Sequence, residues 1–147
     1  MFKHILIPTD GSPVAAKAIK AGVKLAKEVG AKVTGYYALP PLEHLYYGDS
    51  YILDRRRIAE FERGTREAGQ KHLATVKNAA VKLGVTYTSL MTKVASPYIG
   101  IVEAAKKQKC DAIVIASHGR GSLSSLVMGS VTQKVLAHSK IPVIVYR

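Results

Sequence analysis

The sequence predicts an α/β protein whose strands form a doubly wound parallel sheet with helices on both faces. Short apolar runs alternate with amphipathic helical stretches along the 147 residues, and Gly, Pro and Asp-Gly signals mark the boundaries between them. The helical stretches are long enough to serve as crossovers between parallel strands. A chain of this length also fits one domain, here residues 1–147.

The first strand and helix are predicted from local signals. Residues 3–9 form a strand rich in Ile and Leu, which ends at the Asp10-Gly11 turn. Ser12 is a suitable N-cap for a helix over residues 13–29, because that helix begins with a proline whose missing N–H costs nothing at the first helical position. Gly30 then ends the helix.

The remaining elements continue the alternation of strands and helices. Pro40-Pro41 breaks the chain after the second strand, and Ser96-Pro97 repeats the Ser-Pro helix entry. Gly64 and Gly69 weaken the middle of a long helix, so a break there is one outcome that the sequence allows. The predicted strands are 32–39, 85–92, 111–116 and 142–146, and the predicted helices are 53–83, 97–109 and 130–138.

The net charge of +12 at pH 7 is the unusual global property of the chain. A surface this basic attracts anionic ligands in general. Four of the lysines, Lys17, Lys20, Lys24 and Lys27, fall on one face of the first predicted helix. We interpret this face as solvated, because no aromatic residues that could stack on bases are interleaved with it. The pattern therefore argues against a nucleic-acid partner.

The sequence shows no pattern typical of a secreted or membrane protein. The opening MFKHILIPTD is typical of a strand that runs into a turn, and no apolar run approaches the roughly 20 residues of a membrane span. The lone Cys110 allows no internal disulfide and is expected to be a small packing residue. We therefore expect a soluble, cytoplasmic protein.

The most informative segment lies near the C-terminus, where a strand leads into a glycine-bearing loop. The apolar run 112–116 is followed by Gly119, and Gly129-Ser130 opens a new helical pattern. Glycines let the backbone approach a ligand closely, and the free N–H groups of a first helical turn attract negative charge. The segment therefore predicts a phosphate site, most simply for a nucleotide.

The segment matches neither of two widespread phosphate-binding motifs, the Walker A loop and the Rossmann glycine pattern. A Walker A loop, GxxxxGK[ST], is absent, and the Rossmann pattern GxGxxG is interrupted because Ser124 stands where its third glycine belongs. In doubly wound sheets, ligands bind at the carboxyl ends of strands where the strand order reverses. If the first and fourth strands are neighbours at that point, Asp10 faces the glycine loop across one cleft.

The glycine loop resembles that of the universal stress protein family. ATP-binding members carry Gly, two residues, Gly, nine residues and then Gly-Ser or Gly-Thr. The segments HILIPTDGS, SHGRG, GSVTQKVL and KIPVIVYR also resemble the landmarks of that family, in the same order. The resemblance implies an open five-stranded parallel sheet of order 3-2-1-4-5. It also implies a homodimer that pairs through the final strand, residues 142–146.

The resemblance further implies an ATP site with distinct regions. Pro8, Thr9 and backbone groups of Ala38 would contact the base, and Asp10 would contact the ribose or the metal side. Mg²⁺ or Mn²⁺ would be held mainly by phosphate oxygens and water, because the chain has no compact set of carboxylates to hold it. The candidate nucleotide-binding residues are Pro8, Thr9, Asp10, Ala38, Ala116, His118, Gly119, Arg120, Gly129, Ser130, Val131 and Thr132.

Two positions depart from the family pattern. Ala116 stands where the first motif glycine belongs, and Ala95 stands where the family often has glycine. The leading hypothesis is a stress protein that binds ATP, or a related adenine nucleotide, and acts by regulatory binding through an unknown protein partner. The alternatives are a dimeric interaction module that has lost nucleotide binding, and a slow ATP hydrolase.

Several candidate residues also have purely structural explanations. Ser130 and Gln133 match a capping box, which would satisfy the helix N-terminus without a ligand. Asp10 could simply close a turn with Gly11. His118 is expected to be a loop residue oriented by hydrogen bonds rather than a metal ligand. Tyr46, Tyr47 and Tyr51 could cover the cleft or pack against a dimer partner, and Arg55-Arg56-Arg57 is expected to be a solvated helix start.

Overall fold

The computed structural model describes residues 1–42, 55–120 and 127–147, and these residues form a parallel five-stranded sheet of order β3-β2-β1-β4-β5. The predicted fold class and strand order are therefore confirmed. The strands are β1 (His4–Pro8), β2 (Lys32–Leu39), β3 (Tyr87–Lys93), β4 (Ala112–Ala116) and β5 (Val143–Tyr146). The helices are α1 (Pro13–Val29), α2 (Arg55–Leu83), α3 (Pro97–Lys107) and α4 (Ser130–His138).

Apolar side chains cover the sheet on both faces. One cluster joins the sheet to α1 and α2 through residues such as Ile19 and Val76, and a second joins it to α3 and α4 through residues such as Ile101 and Val135. Strands β1 and β4 lie in the middle and are fully buried along their length. A parallel strand covered on both faces is expected to be uniformly apolar, as β4 is along its whole length and β1 is apart from His4.

The local signals at α1 act as the sequence predicts. Ser12 is the N-cap, and its Oγ accepts the backbone N–H of Ala15 at 3.2 Å. Gly30 ends the helix with a left-handed φ of 70°, which glycine adopts without steric cost. The four lysines on the outer face of the helix are all exposed, as expected of a solvated face.

The long helix α2 runs unbroken past both of its glycines. Gly69 is buried because the side chains of Tyr37 and Met91 occupy the space where its Cβ would be. Packing against the sheet therefore outweighs the weak helix propensity of this glycine. The predicted helix start at residue 53 and the three predicted cleft tyrosines, 46, 47 and 51, lie outside the described residues, and Arg55, Arg56 and Arg57 are exposed.

The other predicted ends agree with the structure to within two residues. Cys110 is buried in the cluster beneath α3, as expected of a packing residue, and burial raises the pKa of its thiol to about 11. Within residues 1–42, 55–120 and 127–147, no helix is both long enough and apolar enough to cross a membrane.

Candidate functional site

A cavity of about 650 Å³ opens at the carboxyl ends of β1, β2 and β4. Strand order reverses between β1 and β4, so this is the position where a doubly wound sheet binds ligands. Every candidate nucleotide-binding residue predicted from the sequence lines the cavity. The set comes from four segments of the chain: the β1 end (Pro8, Thr9, Asp10), β2 (Ala38), the β4 end and loop (Ala116, His118, Gly119, Arg120) and the α4 start (Gly129, Ser130, Val131, Thr132).

Asp10 joins the two loops that border the cavity. One carboxylate oxygen accepts the backbone N–H of Ser12 at 2.9 Å, and the other accepts the backbone N–H of Arg120 at 3.0 Å. The first bond is the turn closure that the sequence allows, and the second crosses the cleft as predicted. Asp10 therefore has both roles, since it shapes its own turn and holds the glycine loop in place.

Close contacts at two glycines near Asp10, Gly11 and Gly119, leave no space for a side chain. Gly11 has a left-handed φ of 79°, and the ring of His72 occupies the space above it. A Cβ on Gly119 would overlap Oδ2 of Asp10. The loop can therefore reach the Asp10 carboxylate only because Gly119 has no side chain, and the His72 ring can lie over the turn only because Gly11 has none.

Gly129 brings the two ends of the glycine loop together. Its N–H donates to the carbonyl oxygen of Ser117 at 2.8 Å, and a Cβ there would lie 3.1 Å from the Cα of His118. The φ of Gly129 is −61°, so the backbone conformation itself does not require glycine. The close approach that the motif glycine permits is therefore between two parts of the protein backbone.

The capping box, which is the structural alternative to a phosphate site at α4, is wrong. Gly129, not Ser130, is the N-cap, and it makes no side-chain capping hydrogen bond. Gln133 instead donates from its side-chain nitrogen to the carbonyl oxygen of Met128 at 2.9 Å. The first-turn N–H groups at Ser130 and Val131 have no intrahelical partners and lie at the edge of the cavity. An uncapped helix N-terminus of this kind favours anions.

The floor beneath α4 is built by Ala116 and Thr132. The Thr132 hydroxyl is buried and donates to the carbonyl oxygen of Ala116 at 2.8 Å. Ala116 is only 7% exposed, so most of its surface packs inside the protein although it also lines the cavity. The alanine at the first motif position is thus accommodated in this floor.

His118 makes a local hydrogen bond, with its Nδ1 lying 2.9 Å from the hydroxyl of Ser117. This is the orientation by hydrogen bonding that the sequence predicts. Across the residues that the structure describes, no group of three or more His, Cys, Asp and Glu side chains is placed to hold a metal ion. His118 itself is engaged in a hydrogen bond within its own loop.

The sequence analysis missed the aromatic wall at the β2 end of the cavity. Tyr36 and Tyr37 line this end, and the Tyr36 carbonyl oxygen accepts the N–H of Thr9 at 3.0 Å. The Tyr36 hydroxyl lies 2.7 Å from Oγ1 of Thr92, and burial raises the pKa of this phenol. Their position just before Ala38, at the carboxyl end of a strand, is the signal that could have revealed them.

His72 is a second residue that sequence patterns did not reveal. It comes from α2, and its Nε2 lies 3.1 Å from Nη2 of Arg120. Its ring also contacts that of Tyr37, with centroids 5.6 Å apart. Burial, and then the Arg120 charge, lower the pKa of His72, while Asp10 opposes that shift.

The family model described as the universal stress protein family matches residues 1–147 of the chain. The chain belongs to the universal stress protein family. Among its relatives, universal stress protein MJ0531 of Methanocaldococcus jannaschii is 35% identical over 150 residues, which cover 100% of this chain and 83% of the relative. The resemblance predicted from the glycine loop and the other landmarks is therefore confirmed.

Solved structures share the fold of this universal stress protein. The hypothetical protein MJ0577, from the same archaeon, matches with a TM-score of 0.79 at 25% identity, covering 99% of this chain and 95% of that one. A universal stress protein from Archaeoglobus fulgidus, solved in complex with dAMP, matches with a TM-score of 0.66 at 19% identity. That match covers 100% of this chain and 98% of the other.

Proposed function

We propose that this universal stress protein binds an adenine nucleotide, with ATP as the first candidate, in the cavity at the ends of β1 and β4. The N-terminus of α4 carries this proposal, because it opens on a cavity of about 650 Å³ without a side-chain cap. Free N–H groups and the helix dipole suit a phosphate there. The dAMP held by the Archaeoglobus fulgidus relative supports the same class of ligand.

The lining residues divide into a phosphate end and a base end. The first turn of α4 offers backbone N–H groups for the phosphates, whereas the Arg120 N–H is already donated to Asp10. The opposite end, near Pro8, Thr9 and Ala38, is apolar and suits the adenine ring. Asp10 lies between the two ends and has carboxylate lone pairs left over for a ribose hydroxyl. Mg²⁺ or Mn²⁺ would accompany the phosphates, since the described residues offer no metal cluster.

The role we propose is regulatory binding in the cytoplasmic stress response rather than catalysis. A hydrolase needs a base placed to activate water. Among the described residues that line the cavity, Asp10 is the carboxylate, and both of its oxygens already accept backbone N–H groups. Occupancy of the cavity would instead change the surface that a partner protein contacts.

Nucleotide binding can be measured directly on the purified protein. Acid release should yield an adenine nucleotide, or calorimetric titration of ATP should give saturable heat, with tighter binding when Mg²⁺ is present. AMP and ADP, titrated in parallel, identify the preferred phosphate number. No released nucleotide and no heat at millimolar ATP would overturn the proposal and favour an interaction module that has lost nucleotide binding.

We also propose a homodimer that pairs through β5. This strand lies at one edge of the sheet, and its last residue, Tyr146, is 37% exposed. The carbonyl oxygens of Pro142 and Tyr146 accept N–H groups from the β4 side, so the opposite edge of the strand is left for a second copy. An unpaired strand edge is a ready template for pairing with another chain.

Light scattering after gel filtration tests the dimer. The expected molar mass is twice the 15.9 kDa of one chain. Tyr146→Lys should shift the protein towards the monomer, because it adds a charge at the proposed contact. Lys93→Gln, at the end of the opposite edge strand β3, is the control and should not change the mass. A monomeric wild-type protein at micromolar concentration would exclude the dimer.

A further inference from the structure

The Arg120 side chain makes a hydrogen bond with His72, a residue outside the cavity. Its backbone lines the cavity and is held by Asp10, but Nη2 of its guanidinium lies 3.1 Å from Nε2 of His72. His72 is not among the lining residues. The charged end of Arg120 is therefore directed across the β1–α1 turn towards α2.

The contact defines the protonation state of His72. A guanidinium only donates hydrogen bonds, so Nε2 of His72 must accept and must carry no proton. The imidazole is then neutral, with its proton on Nδ1. A second proton on the ring would remove the acceptor and place two cations in contact.

The surroundings of His72 keep the imidazole neutral. The charged groups that face it are Arg120 from the β4–α4 loop, Asp10 from the β1–α1 turn and Lys71 from its own helix, and the ring of Tyr37 on β2 packs against it. Burial and then Arg120 lower the pKa of His72 below its usual 6.5, and Asp10 only partly offsets them. His72 is therefore neutral at pH 7.5 and takes up its proton only below the usual pKa of 6.5.

We propose that protonation of His72 releases the Arg120 guanidinium, which then turns to the phosphate end of the cavity and strengthens anion binding as the pH falls. Two effects of the proton act in the same direction. It breaks the contact that holds Arg120 against α2, and it adds a positive charge beside the loop. The proton comes from solvent, and no covalent bond changes. The effect on affinity rests on the proposed nucleotide site, whereas the release itself does not.

The release can be followed without any ligand. In ¹⁵N NMR titrations, the Arg120 side-chain signal should move with the same midpoint as the His72 ring signals. Arg120→Gln should raise the pKa of His72, because the neighbouring cation is removed. Arg57→Gln is the control: it removes an exposed arginine 15 residues earlier on α2, about 22 Å away, and should leave the His72 titration unchanged. A His72 titration unaffected by Arg120→Gln would overturn the proposal.

The effect on affinity is measured with ATP on wild-type protein and His72→Gln. Glutamine keeps an oxygen that can accept from Arg120 but cannot gain a proton in this range. The ratio of the two affinities at each pH cancels the titration of the nucleotide phosphates. We expect the wild-type affinity relative to His72→Gln to rise about three- to fivefold between pH 7.5 and the pH at which the NMR titration shows His72 to be protonated, a size typical of an exposed charge pair.

A ratio that stays constant or falls with pH would contradict the effect on anion binding. If neither protein binds ATP, the proposed nucleotide site fails, and the NMR titrations still decide whether a proton on His72 releases Arg120. The two failures are therefore distinguishable.

Discussion

Gly119→Ala is expected to weaken nucleotide binding at least about tenfold. The added methyl group would overlap Oδ2 of Asp10, the atom that accepts the N–H of Arg120. Either the carboxylate or the loop must move, and a hydrogen bond to a charged acceptor is lost. Such a bond holds the loop in its position at the cavity with about 1.5–3 kcal/mol. Binding of a nucleotide that must reorder the loop is weakened by that amount, and about 1.4 kcal/mol corresponds to a tenfold change in affinity. Calorimetric titration of ATP measures the loss.

A double-mutant cycle identifies the Asp10 contact as the cause. If the methyl group acts by overlapping the carboxylate, Gly119→Ala should add little to the loss already caused by Asp10→Ala. Gly64→Ala is the control, because a Cβ at Gly64 meets no atom within 4 Å. It should leave ATP affinity unchanged. Additive losses in the cycle would show that Gly119 matters through some contact other than Asp10.

Local signals made the elements of the fold predictable. Ser12, Pro13 and Gly30 determine the ends of α1, and their effects depend only on residues nearby in the sequence. The uniformly apolar run that becomes β4 likewise predicts a central strand of a parallel sheet. Once the first and fourth strands are placed side by side, the contact between Asp10 and the glycine loop follows. The sequence could therefore predict this part of the site as well.

The contacts of α2 could not be predicted in the same way. His72 reaches Arg120 across 48 residues of sequence, and a helical pattern reveals only which face is apolar. His72 lies on the margin of that face, where the pattern does not distinguish a surface residue from one that contacts the site. Gly69 is similar, because its partners Tyr37 and Met91 lie on two different strands.

The capping box that the sequence allows at α4 is absent for a specific physical reason. Ser130 and Gln133 have the spacing of a capping box, but the hydrogen bond from Gly129 to Ser117 places Gly129 at the N-cap. Ser130 is then the first helical residue, where its side chain cannot cap. A tertiary contact of the loop thus shifts the cap by one residue and leaves the helix N-terminus open to the cavity.

Gly100→Ala is expected to destabilise the protein by about 1–3 kcal/mol, although alanine normally stabilises a helix relative to glycine by about 0.5–1 kcal/mol. Gly100 is buried in α3, and the Tyr36 hydroxyl occupies the place of its missing side chain. A new methyl group would also lie 3.0 Å from Cγ2 of Val94. The side chain of Tyr36, a residue that lines the cavity, would have to leave its contact with Thr92.

Tyr36→Phe tests whether the Tyr36 hydroxyl causes the loss of stability in Gly100→Ala. Alone it should cost about 1 kcal/mol, because it removes the hydrogen bond between the phenol and Thr92. Combined with Gly100→Ala it removes the oxygen that the methyl group overlaps, so the double variant should be more stable than the sum of the two losses predicts. Chemical denaturation measures all three variants, and Gly64→Ala, an unhindered glycine within α2, should instead be slightly stabilising. If Gly100→Ala stabilises the protein as Gly64→Ala does, α3 does not pack on the Tyr36 hydroxyl.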